Sequence, residues 1–350
     1  MPGVVDYLSA MRQPSILKTS AAAHEVAALF HPGQRVCLTT HVNPDGDGIG
    51  SEVALVHILR AQGIEAIITN PSPTPDRFAF LFADLPGVDR SAQGVKELRR
   101  ADVIMVVDIA DLGRLGNLAQ TVRERGVPVG CIDHHASEGV LPPGPRFVDP
   151  TAAATGELVF LLARERAWKV PPAAAHALYV ALVTATGGFR FSTTRPRTLR
   201  VASELLAIGV DPEQVYLDVY ANAPVGRPRL LAEVLQTLVV EEAIGLAWVT
   251  VPPGALERHD VDPDDLDGIV EHARSIRGVR LALLFREMSG GRVKVSLRSV
   301  GNVDVAALAG RFGGGGHARA AGVALPGTLG AVQSTFLAAV REYLGEIPRS

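Results

Sequence analysis

The residues best equipped for chemistry lie in one stretch, 38–52, which reads Leu-Thr-Thr-His-Val-Asn-Pro-Asp-Gly-Asp-Gly-Ile-Gly-Ser-Glu. His41, Asp45 and Asp47 bring one imidazole and two carboxylates into a single short segment. A neutral nitrogen among several oxygens suits a divalent cation such as Mn2+ or Mg2+ better than a thiolate-seeking metal. The apolar run 35–38 before this segment reads as a buried strand, and 53–59 after it has helical spacing. The three residues therefore sit on a strand-to-helix turn, and a helix N-terminus behind them favours a bound anion such as phosphate. A plain Asx-Gly turn capping a helix is the competing reading of the same residues.

Two more strands end in polar residues. The run 102–108 is apolar and closes on Asp108, and 127–133 closes on Asp133, followed by His134 and His135. Taken singly, Asp108 could cap a helix and His134 could be a solvated loop residue. Their coincidence with His41, Asp45 and Asp47 at one sheet edge favours a common cation site, with further carboxylates orienting the imidazoles.

The elements that position these residues alternate. The pattern predicts a helix over 21–30, a strand over 35–40, a helix to 61, and a strand over 64–69. A stiff Pro-rich loop follows at 70–75, then short helices over 76–82 and 94–100 and the strands 102–108 and 127–133. Nearly all-apolar strands alternating with helices predict a parallel sheet covered on both faces. Such sheets gather ligands at the carboxyl ends of their strands, at a topological switch point. Residues 1–19 carry no strong period and read as a lead-in.

Composition narrows the function classes. The 350 residues suffice for two domains, and a net charge of −3 leaves no overall footprint for duplex nucleic acid. Lysine is confined to Lys18, Lys96, Lys169 and Lys294, so arginine carries most of the positive charge. Cys37 and Cys131, the only cysteines, lie in apolar strand-like runs, which fits a reducing compartment and gives no disulfide framework. The start lacks a basic-then-apolar leader pattern, and no apolar run approaches the roughly 18 residues of a membrane span. A cytoplasmic protein without membrane association is expected.

Further along, helices are predicted over 153–167, 172–186, 196–209 and 211–221, with Pro172, Pro196 and Pro212 at helix starts. The region 222–239 reads as a linker that turns helical after Gly226, between a first domain at 1–221 and a second at 240–350. In the second domain the pattern predicts strands over 243–251, 279–286 and 291–298. Helices are expected over 263–275, 303–311 and 328–345.

At this point a resemblance is plain. His41-Val-Asn-Pro-Asp-Gly-Asp-Gly-Ile-Gly-Ser, then a strand ending in Asp108, then Asp133-His-His resembles the signature order of the DHH phosphoesterase superfamily. Val293-Lys-Val-Ser-Leu-Arg-Ser, Asn302-Val-Asp-Val-Ala and Phe312-Gly-Gly-Gly-Gly-His-Ala-Arg-Ala-Ala-Gly resemble its DHH-associated domain. Within the superfamily the chain is most similar to the bacterial nanoRNase and pAp phosphatase group. The resemblance implies an α/β, two-domain DHH phosphoesterase fold: a parallel sheet with helices on both faces, plus a smaller mixed-sheet domain, with the active site in the cleft between them. It implies hydrolysis of very short single-stranded RNA or DNA oligonucleotides and of adenosine 3′,5′-bisphosphate. A homodimer is compatible with it.

The resemblance also implies roles. His41, Asp45 and Asp108 would hold one Mn2+, and Asp47, Asp108 and His134 a second, with Asp108 bridging and Mg2+ as an alternative ion. Such a pair would activate water and clamp the phosphoryl oxygens. His135 would touch the phosphate or move a proton, or else orient His134. Asn43 would fix the turn. On the second domain, Ser296, Arg298, Gly314, Gly315, Gly316 and His317 would bind substrate, Arg298 gripping a phosphate bidentately. A surface ion pair is the competing reading of Arg298, and a flexible loop that of the glycines. Phe189, Arg190 and Phe191 are candidates for a base platform.

One position departs from the family. Where the pattern expects Asp-Thr-Gly, this chain has Ala185-Thr-Gly, and a methyl group cannot coordinate a cation. The second ion would lose a carboxylate and turnover would fall. Two other functions compete: nucleotide binding without turnover, and polyphosphate or pyrophosphate hydrolysis, since one fold serves several substrates.

Overall fold

The computed structural model describes residues 21–109, 111–136, 139–266 and 268–346, so the lead-in expected at 1–19 lies outside the described residues. The side chains of Asp264 and His317 lie outside them too. The chain divides into two compact units, Met1–Asn222 and Ala223–Ser350.

In the first unit the order is α1 (Ala21–Ala27), β1 (Arg35–Thr39), α2 (Gly46–Arg60), β2 (Glu65–Ile68), α3 (Gly94–Leu98), β3 (Val103–Val107), α4 (Ala119–Glu124), β4 (Val129–Asp133) and β5 (Arg146–Val148). Then come α5 (Thr155–Glu165), α6 (Pro172–Ala185), α7 (Pro196–Ile208) and α8 (Pro212–Tyr220). The five strands run in the order β2-β1-β3-β4-β5, every pair parallel. Successive strand residues face opposite sides. Val36 and Leu38 join the core that includes Ile49, Leu55, Phe160 and Leu178, whereas Cys37 joins Leu98, Ile104, Leu115 and Leu118. Both faces are therefore covered, as the uninterrupted apolar strands require. The chain runs from β1 out to β2 on one side and returns to β3 on the other. The order thus reverses at β1 and β3, which makes their carboxyl ends the switch point.

The glycines of the 38–52 stretch serve close packing. A Cβ at Gly46 would stand 2.5 Å from Thr184 Oγ1, and one at Gly50 would stand 2.5 Å from the Ala177 carbonyl oxygen. Helix α2 therefore lies directly against α6. Beyond α6, positive φ at Gly187, Gly188 and Phe189 turns the chain back. The sequence pattern had not shown β5, α4 or the 3-10 turn Leu112–Leu118, and Asp76–Phe82 is a 3-10 helix.

The second unit holds α9 (Gly226–Leu235), β6 (Val239–Glu241), β7 (Leu246–Thr250), α10 (Ala255–His259), α11 (Ile269–Arg274), β8 (Leu281–Met288) and β9 (Arg292–Ser299). It closes with α12 (Val305–Gly310), β10 (Gly315–His317), β11 (Ala320–Pro326) and α13 (Leu329–Glu346). Its sheet order is β10-β11-β9-β8-β7-β6, with β7 and β8 parallel and the other pairs antiparallel. The helix expected after Gly226 is present as α9, but it is part of the second unit rather than a free linker: its Leu230 and Val234 are buried with Val249 and Ile269. The helix read over 263–275 is broken at Gly268, which takes φ +85 between a 3-10 turn and α11. The competing reading of the glycines as a flexible loop does not hold, since Gly315 and Gly316 lie in strand β10: a Cβ at Gly314 would lie 2.4 Å from the Gly322 carbonyl oxygen, and one at Gly316 2.5 Å from that of Ala320. Among the described residues no helix is long and apolar enough to cross a membrane.

Candidate metal centre

Three strand ends of the first unit converge on Asp108. It follows β3, is buried, and takes φ +59, a left-handed conformation uncommon for a residue with a side chain. Its two oxygens face different neighbours. Oδ2 lies 3.5 Å from His41 Nε2. Oδ1 lies 3.6 Å from His134 Nε2, 3.7 Å from His135 Nδ1, and accepts a 2.9 Å hydrogen bond from the Thr155 hydroxyl.

His41 is held from behind. Its Nδ1 meets the Val42 carbonyl at 2.9 Å, which places the proton there and leaves the Nε2 lone pair toward Asp108. The backbone N–H of Thr40 donates to Asn70 Oδ1 at 2.9 Å, and Asn70 Nδ2 donates to Glu52 Oε2 at 2.8 Å. The carboxyl of Glu52 is fully buried, and burial pushes its pKa well up, with the Asn70 bond opposing. Asn43 has φ +55 and its N–H donates to Ser72 Oγ, in keeping with a turn-fixing part.

Asp45 caps α2: its Oδ1 accepts from the N–H groups of Asp47 and Gly48 at 2.9 and 3.2 Å. The capping reading and the ligand reading of Asp45 are compatible, since the carboxylate keeps further lone pairs. Asp47 is buried and accepts from the N–H groups of Thr155 (2.8 Å, Oδ2) and Gly156 (3.0 Å, Oδ1), so it caps α5 from another element. Its Oδ2 also lies 3.5 Å from His134 Nε2. His134 Nδ1 contacts the Ala152 carbonyl at 3.3 Å. His135 Nδ1 lies 2.6 Å from Asp133 Oδ1. Ala185 ends α6, half-buried, directly after the Thr184 that touches Gly46.

The charges are arranged in opposition. Burial raises the Asp47 carboxyl well above the ordinary aspartate value, and the neighbouring charges of Asp108 and Asp45 add to this. Burial also works against an ionised Asp108, but the His41 contact and the three imidazoles outweigh it and hold its pKa at about 2. Burial would lower His41 and His135; the Asp108 contact and the Asp108 and Asp45 charges raise His41 instead, as the Asp133 bond and the Asp108 charge raise His135.

Two donor groups follow from this geometry: His41, Asp45 and Asp108, as expected, and Asp108, His134 and His135, in which His135 stands in the place expected of Asp47, although Asp47 Oδ2 lies 3.5 Å from His134 Nε2. Within each, one donor atom per residue lies within 4.8 Å of the others. Imidazole nitrogens and carboxylate oxygens that share the buried Asp108, with His41 buried, His134 and His135 half-buried and Asp45 exposed, fit a pair of divalent cations. Thr155, Gly156, Glu52 and Asn70 were not singled out from sequence, and Asp133 was noted only as a strand end and not as the partner of His135. Only the Thr-Gly-Glu start of the 153–167 helix could have hinted at Thr155, and nothing local hints at its Asp108 contact.

The residues read as substrate-binding lie in the second unit. Ser296 and Arg298 share a face of β9 with Lys294, and β9 pairs with β11. Arg298 Nε lies 3.1 Å from Glu271 Oε1, so the ion-pair reading describes part of its environment. Gly315, Gly316 and His317 form β10, with Gly314 just before it; the His317 side chain lies outside the described residues. Of the base-platform candidates, Phe189 stacks edge-on against Tyr179, Arg190 Nε donates to the Gly187 carbonyl, and Phe191 is exposed.

Family comparison decides the affiliation. The DHH family N-terminal domain matches residues 35–182 and the DHHA1 domain matches 243–346. A bifunctional oligoribonuclease and PAP phosphatase NrnA from Thermus thermophilus is 34% identical over 319 residues, 88% of this chain and 90% of that one. The chain belongs to the DHH family. A second DHH relative, of the same name and from Bacillus subtilis, is 28% identical over 83% of this chain and 89% of its own length. An exopolyphosphatase-related protein from Bacteroides fragilis has the same DHH architecture. Its crystal structure superposes with a TM-score of 0.88 at 27% identity, covering 95% of this chain and 99% of that one.

Proposed function

We propose that this DHH protein is a divalent-cation-dependent phosphoesterase acting on short oligonucleotides and on adenosine 3′,5′-bisphosphate. The observation that carries the reading is the shared Asp108, whose two oxygens face two separate donor groups. The 34% identity to an oligoribonuclease and PAP phosphatase supports the substrate class.

In this reading His41, Asp45 and Asp108 hold one Mn2+, and Asp47, Asp108 and His134 the other. Bound there, the cations supply Lewis acidity, an activated water and a clamp for phosphoryl oxygens. The chain's own residues prepare the site. The Val42 carbonyl fixes the His41 tautomer, leaving Nε2 as donor atom. Asp133 accepts a hydrogen bond from the Nδ1–H of His135, which leaves Nε2 to contact the phosphate or, when protonated, to pass a proton to the leaving oxygen. Arg298, Ser296, Gly314, Gly315, Gly316 and His317 bind the substrate phosphate. The missing carboxylate at Ala185 lowers the rate. Ala185 is also the one observation that favours nucleotide binding without turnover.

Parallel assays of adenosine 3′,5′-bisphosphate, a dinucleotide and polyphosphate, each with Mn2+ and with EDTA, test the proposal. Mn2+-dependent release from the first two supports it. Cleavage of polyphosphate alone would replace the substrate class, and binding without release would favour the non-catalytic reading.

A further inference from the structure

We infer that Thr155 is a positioning residue of this centre: its hydroxyl fixes which oxygen of Asp108 faces which donor group. The inference rests on the two-cation reading of the site.

A carboxylate bridging two groups must hold one rotation about its Cβ–Cγ bond, or one group loses its oxygen. The Thr155 hydroxyl has one proton to give, and gives it to Asp108 Oδ1 at 2.9 Å. Oδ2 is thereby left facing His41. Helix α5 does not need this hydroxyl for capping. Its first N–H groups, those of Thr155 and Gly156, are taken by Asp47, and Ala154 at the N-cap position has no side-chain bond to offer. Thr155 thus touches two carboxylates from different elements at once: Asp47, in the first turn of α2, by its N–H, and Asp108, after β3, by its hydroxyl.

The residue is itself held firmly. Thr155 is fully buried. Glu157, in the first turn of α5, accepts from the Ala153 N–H at 3.3 Å and from Thr198 Oγ1 at 2.8 Å. Arg197 bridges Glu157 and Asp149, the latter at 2.9 Å. A Cβ at Gly156 would stand 2.6 Å from the Ala181 methyl, so α5 cannot shift toward α6. Groups of this kind, one bond removed from a cation, typically carry about 10–100-fold in metal affinity.

The test is a calorimetric Mn2+ titration of chelator-stripped protein, run beside melting curves of the cation-free forms. Thr155→Val keeps the shape and removes the donor; Thr155→Ser keeps the donor. The expected result is Mn2+ binding weakened about tenfold or more in Thr155→Val and within about threefold of the parent in Thr155→Ser. A merely structural residue would move the melting temperature and leave the affinity of the folded protein alone. Parental affinity in a folded Thr155→Val overturns the inference while leaving the two-cation reading intact. If Thr155→Val does not fold, equal affinities of Thr155→Ala and Thr155→Ser overturn it. A parent that binds no Mn2+ overturns both.

Discussion

Asp108 Oδ2 and His41 Nε2 stand 3.5 Å apart although the two residues end different strands, β3 and β1, that are adjacent in the sheet but more than sixty positions apart in the chain. The reversal of strand order between β1 and β3 makes the meeting possible. The other oxygen of the same carboxylate meets Thr155, His134 and His135.

Glu52 sits behind it, buried and joined to the β1 end through Asn70. Its pKa is raised in the fold, so its contribution to stability is complete below the unfolded value and is lost as pH climbs through the folded one. Glu52→Gln keeps an oxygen for Asn70 and cannot ionise. Cation-free Glu52→Gln should therefore gain on the parent in melting temperature as pH rises above the ordinary glutamate range. Parallel pH profiles of the two forms would remove the buried-acid argument.

Gly50→Ala sets two effects against each other. Alanine in a helix is worth about 1 kcal/mol over glycine. The added methyl would stand 2.5 Å from the Ala177 carbonyl oxygen and 3.1 Å from the Ala181 Cβ. Forcing α2 away from α6 costs roughly 1–3 kcal/mol. The clash should win, and denaturant unfolding should show a lower midpoint; a raised midpoint would mean the helices separate freely.

Much of this was legible in the sequence, and the reasons differ by residue. His41, Asp108 and His134 follow apolar strands, Asp45 and Asp47 open the helix after the first of these, and a parallel sheet puts strand ends on one edge. Thr155 was not legible, because its partner is 47 positions away and its hydroxyl serves a different element. Glu52 looked like an ordinary helix glutamate until burial and Asn70 were visible. Strand β10 was hidden because glycines lack strand propensity; only the close approach of β11 makes Gly314 and Gly316 necessary. Strand β5, three residues long, is too short to carry a period.

Arg298→Ala should weaken substrate binding more than cation binding. A charge-assisted bond to phosphate is worth about 1.5–3 kcal/mol, which corresponds to a KM rise of roughly 10–150-fold. Glu271 holds Nε of this arginine at 3.1 Å. An unchanged KM with an unchanged Mn2+ titration would leave Arg298 as a surface ion pair.

Ala185→Asp restores a carboxylate at the end of α6, next to the Thr184 that touches Gly46 between Asp45 and Asp47. We expect a second Mn2+ to bind more tightly and the rate on adenosine 3′,5′-bisphosphate to rise at least about tenfold, equivalent to about 1.4 kcal/mol of barrier. Equal stoichiometry and equal rates in both forms would mean that position 185 is not a ligand position.

The shared carboxylate is the centre of the account, and Asp108→Asn tests it most directly. Asparagine keeps the size and one oxygen but removes the charge facing both donor groups. Mn2+ titration and adenosine 3′,5′-bisphosphate hydrolysis should be run on Asp108→Asn and parent together. The account predicts that Mn2+ binding is lost at both sites and that hydrolysis falls by at least about 100-fold, more than the 10–100-fold typical of a group one bond removed from a cation. Parental Mn2+ binding with undiminished hydrolysis in Asp108→Asn would contradict it.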